Sequence, residues 1–199
     1  MSDFVRTIPP RKTFFPIMTP GDRSWSHSGK PHIRNINQVG REWIEEYPPM
    51  QANDSNVIKF LSYLNNLWRN GTIFTIKHKY LGIPANNPIT GSLAMNGANQ
   101  TGSTITVTTS LTQPLLYGDV ITIEGINTVI DVVENMVNGA DTSIVINPPI
   151  IQGMTHIDGA VITYNNVKFR CILDEGLEIP SCSIDGVYEG LILKFRECP

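Results

Sequence analysis

"GSLAMNGANQTGSTITVTT", residues 91–109, carries no charge, gathers small residues around Asn96, Gly97, Asn99 and Gly102, and then settles into alternating Ile, Val and Thr. That alternation has the period of a strand with one buried face. The glycine-rich half does not fit a phosphate cradle. A Walker loop closes on Lys followed by Ser or Thr, and a dinucleotide fingerprint lies between a strand and a helix. Here the glycines lead straight into a strand, so the stretch reads as a turn at the entrance to a β domain.

Downstream, "STITVTTS", "DVITIEG", "TVIDVVEN" and "TSIVINPPI" are short β-rich runs separated by "YGD", "GIN" and "NGAD". Four or more strands at this spacing predict a small antiparallel barrel or sandwich. Charge marks the same block. Between Lys79 and Lys168 there is no Lys or Arg, whereas Asp119, Glu124, Asp131, Glu134, Asp141 and Asp158 all fall there. An acidic insert over 85–163 is therefore expected inside a weakly basic frame, with "LGIPANNPITG" as its Pro- and Asn-rich linker.

The frame is expected at 33–84 and 164–199, preceded by an extended N-terminal arm over 1–32, where Pro9, Pro10, Pro16, Pro20 and Pro31 oppose a continuous helix. Short strands are expected around Phe14 to Met18, and strands or a hairpin broken at Gly40 in "IRNINQVGREWIEEY". Val57, Phe60, Leu61, Leu64, Leu67 and Trp68 recur at three- and four-residue spacing and predict an amphipathic helix over about 54–70. Asn53 or Asp54 suits its N-cap, and Gly71 suits a left-handed C-terminal cap. "GTIFTIKHKYLG", "AVITYNNVKFRCILDE" and "YEGLILKFRE" supply further alternating strands. The fold class is mainly β (α+β): a discontinuous β-rich frame with one helix and an inserted barrel-like domain.

Composition narrows the function. A net charge of -3 gives no global reason to bind nucleic acid or an anionic membrane, and no apolar run reaches membrane-spanning length. The N-terminus lacks an apolar signal-peptide core, which points to synthesis in a cytoplasm. Cys171, Cys182 and Cys198 form an odd set without a CxxC pair and read as free thiols rather than disulfide or zinc ligands.

No constellation for catalysis, cofactor or metal stands out, so no site residue is assigned. His27, His32, His78 and His156 show neither HExxH nor helical pairing. Asp119 and Glu124 offer at most a weak Ca²⁺ pair, Cys171 with His156 is an arithmetical nucleophile and base, and Glu45 and Glu46 face opposite sides of a strand. Arg6, Arg11, Lys12, Arg23, Lys30 and Arg34, interleaved with Phe14, Phe15 and Trp25, suit a nucleic-acid backbone or a neighbouring subunit. The subunit contact is favoured because the rest of the chain offers no nucleic-acid platform.

The order of "YPPM", "FLSYLNNLWRNGTIF", "LGIPANNP", "NGANQTG", "LLYGDVITI", "INPPI", "VKFR" and "GVYEGLILKF" resembles a family of bacteriophage minor tail or distal-tail-like proteins of the tail tip or baseplate. The resemblance covers roughly residues 42–196. Tyr117 stands where the family often has Ala, and Asn147 where it has Trp before the paired prolines. It implies a virion component without an active site. Such a subunit self-associates as a hexameric or trimeric ring and connects the tail tube to hub, sheath, baseplate or fibre proteins. The acidic insert would project as a docking platform, with "GSLAMNGANQTG", residues 91–102, as its hinge-like entrance. The alternative is a carbohydrate-binding module in which the insert's acids and Tyr117 or Tyr164 engage a host glycan.

Overall fold

The computed structural model describes residues 2–14, 17–18, 23–25, 31–33, 41–78, 81–137, 141–173 and 181–198. In chain order the strands are β1 Ser2–Asp3, β2 Lys12–Thr13, β3 Ile17–Met18, β4 Arg23–Trp25, β5 Pro31–Ile33, β6 Arg41–Glu46, β7 Met50–Gln51, β8 Phe74–Ile76 and β9 Leu93–Met95. They continue with β10 Gly102–Thr109, β11 Val120–Ile123, β12 Ile130–Val132, β13 Asp141–Ile150, β14 Ile162–Thr163, β15 Phe169–Leu173, β16 Val187–Tyr188 and β17 Ile192–Glu197. One helix, α1 Ser55–Arg69, interrupts them. The protein is thus mainly β, with a single helix among the described residues.

Compactness divides the chain into a first unit of Met1–Arg34, Val39–Ile76 and Arg170–Pro199 and a second of Asn35–Gln38 and Lys77–Phe169. The first unit is built on a sheet ordered β1-β8-β15-β17-β6-β2, with β3 also pairing β6. In β6, Arg41, Trp43 and Glu45 turn inward while Glu42, Ile44 and Glu46 turn out; β17 buries Leu193, Phe195 and Glu197 in register with it. The helix covers the inward face with Val57, Phe60, Leu64 and Leu67. Leu61 is only half-buried and Trp68 is exposed, so the apolar stripe is narrower than the sequence spacing predicts.

Both helix ends are closed by local chemistry. Asp54 accepts the Asn56 N–H at 2.8 Å, which satisfies one of the orphan amides of the first turn. At the other end Gly71 takes φ 54°, its N–H reaches Trp68 O at 3.1 Å and the Thr72 N–H reaches Leu67 O at 3.0 Å. This is the paired closure of a Schellman motif, for which a left-handed glycine is the natural residue.

The stretch expected as an extended arm is joined to the frame sheet by its short strands. β1 pairs parallel with β8, and Phe4 is buried against Phe60, Phe74 and Phe195 with ring centroids 6.5, 5.0 and 5.4 Å away. β2 and β3 add to β6, whereas β4 and β5 pair with each other. Gly40 and Phe15 lie outside the described residues.

The second unit is a nearly closed six-stranded antiparallel barrel, ordered β14-β11-β12-β13-β10-β9. A bridge between Ala94 and Val161 joins its two ends. Its core is aliphatic, with Ile105, Leu115, Ile121, Val132 and Ile144 at its centre. The register between β10 and β13 shifts between Gly102 and Thr104, opposite the Pro148–Pro149 pair that cannot donate to a ladder.

Two expectations about the insert change. "LGIPANNPITG" is fastened to the barrel rather than left as a linker, because Asp119 accepts the Ala85 N–H at 2.8 Å and Gly82 O accepts the Val167 N–H at 3.1 Å. The compact unit accordingly starts at Lys77 rather than 85 and runs to Phe169. Residues 91–102 are not a hinge either, since Leu93–Met95 is a barrel strand and Gln100 locks the turn that follows it.

Candidate interaction surfaces

The residues singled out in the sequence are mostly occupied with holding the fold. Asp119 is buried and accepts from both Ala85 N and Leu116 N at 2.8 Å, so each carboxylate oxygen already serves a backbone amide. Glu124 accepts from Val161 N at 3.3 Å. Among the described residues no group of three or more His, Cys, Asp or Glu gathers as metal ligands do. His78 is buried with its ring edge-on to Phe169. His27 lies outside the described residues, and of His32 only the backbone is described.

His156 is buried in the barrel unit and has both ring nitrogens engaged: Nε2 accepts the Gln100 N–H at 2.9 Å, and Nδ1 lies 3.2 Å from Ile157 O. Accepting at Nε2 requires the proton on Nδ1. Its ring therefore ties the β9–β10 turn to the loop at 154–159. Cys171 belongs to the other unit, where burial, followed by the nearby Glu197 carboxylate, pushes its thiol far above the ordinary range. A buried neutral thiol is a packing group rather than a nucleophile.

Glu45 and Glu46 do face opposite ways. Glu45 is fully buried, holds the Arg6 guanidinium through both oxygens and accepts the Tyr47 hydroxyl at 2.9 Å. Glu46 pairs outside with Lys12 at 2.9 Å. Two bases of the N-terminal stretch are thereby matched within the chain. Of Arg23 and Trp25 only the backbone is described, and Lys30 and Arg34 lie outside the described residues.

Among the described residues two exposed surfaces stand out. The outer face of the frame sheet carries an apolar centre of Phe14, Ile44 and Ile192, respectively 45%, 37% and 50% exposed. Lys12, Lys194 and Arg196 stand around it with Glu42 and Glu46, and Glu42 bridges Lys194 at 3.3 Å and Arg196 at 2.9 Å. Arg170 shares this side of β15, and its Nε finds no hydrogen-bond partner among the described residues.

The second surface is a groove of about 530 Å³ on the barrel, lined by Ala98, Asn99, Glu124, Gly125, Thr155, His156, Ile157 and Asp158. Asp158 accepts the Gly97 N–H at 2.7 Å and Asn99 donates its N–H to His156 O at 3.1 Å, so the rim is built from two crossed loops. Gly125 has φ 90°, and a Cβ there would lie 2.8 Å from Thr155 O, so the groove floor needs glycine. Glu124 and Val161 sit opposite each other with both side chains outward, and Ile157 is 69% exposed beside them. The sequence hinted at this surface through its lack of cations; the groove itself depends on loop crossings that no local pattern reveals.

Aromatics are sparse on the barrel. Tyr164 donates its hydroxyl to Gly91 O at 2.9 Å and packs against the core, whereas Tyr117 is 73% exposed.

No protein-family model matches the chain, and no curated protein matches it. Among the described residues no helix is long and apolar enough to cross a membrane.

Proposed function

We propose that the chain is a structural subunit of a bacteriophage tail, placed at the tail tip or baseplate, where copies associate around the tail tube and connect it to baseplate, sheath or fibre proteins. The proposal starts from the order of turn and packing motifs over residues 42–196. The observation that carries it further is the outer face of the frame sheet, whose exposed Phe14, Ile44 and Ile192 sit within a rim of charges. An apolar centre inside a polar rim is the anatomy of a protein contact.

Light scattering behind a sizing column, at several protein concentrations, tests this reading. A mass near six or three times 22.1 kDa supports ring assembly. A mass of 22.1 kDa at every concentration, with no binding to a tail-tube protein, overturns it. The carbohydrate-binding reading rests on the exposed Tyr117; glycan-array binding abolished by Tyr117→Ala would favour it instead.

A further inference from the structure

We propose that the outer face of the frame sheet of one copy docks on the barrel groove of a second copy, and this rests on the self-associating reading above. Charge is segregated along the chain. Between Lys79 and Lys168 the chain has no Lys or Arg, so Glu124 and Asp158 on the groove have no cation from their own stretch of chain to neutralise them. The frame face is the reverse: Lys12, Arg170, Lys194 and Arg196 outnumber Asp3, Glu42 and Glu46.

Apolar exposure matches on the two sides. Ile44 and Ile192 lie in the middle of the frame face, while Ile157 and Val161, 69% and 57% exposed, flank the groove. Bringing the two together removes apolar surface from water at the centre and leaves opposite charges facing at the rim. The two patches are different surfaces of one chain, so the contact is head-to-tail, and such contacts close into rings when the rotation per copy allows it.

Charge swapping tests the assignment. Glu124→Lys reverses the barrel side and Lys194→Glu the frame side, both at exposed positions. Each single variant should need at least tenfold more protein than wild type to reach the same mass by light scattering. An equimolar mixture should regain wild-type association in a ring of even copy number, where the variants alternate and each altered face meets a complementary one; the double variant Glu124→Lys, Lys194→Glu, whose own two faces are complementary, should regain it at any copy number. Circular dichroism and thermal melting check that both variants fold, and Ile157→Lys with Ile192→Glu provides a second pair at exposed sites.

Wild type that associates while both single variants associate equally well overturns this surface assignment and leaves the tail-subunit reading standing. Weakened variants that recover neither in the mixture nor in the double variant overturn it as well. Wild type that stays at 22.1 kDa at every concentration overturns contact between copies altogether, and tail-tube binding then decides the broader reading separately.

Discussion

Gln100 and Thr106 are joined by reciprocal hydrogen bonds: the Gln100 side-chain amide donates to Thr106 O at 2.9 Å, and its oxygen accepts the Thr106 N–H at 2.6 Å. A side chain thus substitutes for one rung of a β ladder beside the β9–β10 turn. The same amide reaches Asn96 O at 2.8 Å. Gln100→Ala should lower barrel stability by about 0.5–1.5 kcal/mol, the net loss when exposed hydrogen bonds are handed back to water. Urea unfolding should show a lower midpoint, and Gln100→Glu should not rescue it because it removes the donor.

Phe4→Ala distinguishes an integral first strand from a dispensable arm. The ring is 8% exposed and touches four aromatic neighbours, Phe60, Tyr63, Phe74 and Phe195. Its truncation should destabilise the frame by about 3–5 kcal/mol, as for other buried phenylalanines. Thermal unfolding measures the loss, and a change under 1 kcal/mol would mean the strand does not pack as described.

Arg6→Ala should destabilise the frame by about 2–4 kcal/mol, because it leaves the fully buried Glu45 without its cation. The value lies below that of a sealed pair because the Arg6 side chain is 25% exposed and partly screened. Chemical denaturation of Arg6→Ala, alone and with Glu45→Gln, measures it; the double variant should recover part of the loss.

Alkaline pH should selectively weaken the frame. Tyr47 is pushed far above its ordinary 10.0 by burial and then by the Glu45 carboxylate, and Cys171 far above its ordinary 9.0 by burial and then by Glu197. Both groups hold their protons more tightly in the folded state. Their contribution is complete below pH 9 and declines as pH rises past 9 and 10, where the unfolded chain ionises first. Each group adds a slope of about 1.4 kcal/mol per pH unit in that window. Urea midpoints from pH 7 to 11 should fall for wild type and flatten in the Tyr47→Phe, Cys171→Ala variant.

Asp119→Ala should free the 82–90 segment from the barrel. It strands the Ala85 and Leu116 amides at a position only 6% exposed, at a cost of about 1–3 kcal/mol. Hydrogen exchange should accelerate at both amides, with Glu124→Ala as a comparison that leaves them protected.

Much of this architecture is legible in the sequence because periodicity and charge act locally. The spacing of Phe60, Leu64 and Leu67 identifies the helix, and the alternation in "STITVTTS" and "TSIVINPPI" identifies barrel strands. What escaped a local reading depends on long-range partners. Two-residue strands such as Ser2–Asp3 have no periodicity to detect and exist because Phe4 has an aromatic cluster to enter. "LGIPANNP" has linker composition but is held by a carboxylate more than thirty residues away. The groove was invisible for the same reason, since His156, Asp158 and Gln100 meet only after the loops cross.

The barrel's lack of Lys and Arg also governs how its contacts can be charted. Trypsin has no cleavage site between Lys79 and Lys168, so the strands from β9 to β14 leave any digest as part of one long peptide, whether the protein was folded or not. Amine-directed cross-linkers find no lysine in that block. Mapping which neighbour sits on this surface therefore calls for reagents aimed at carboxylates, with Glu124 and Asp158 as the handles, and for a protease that cuts beside acidic residues.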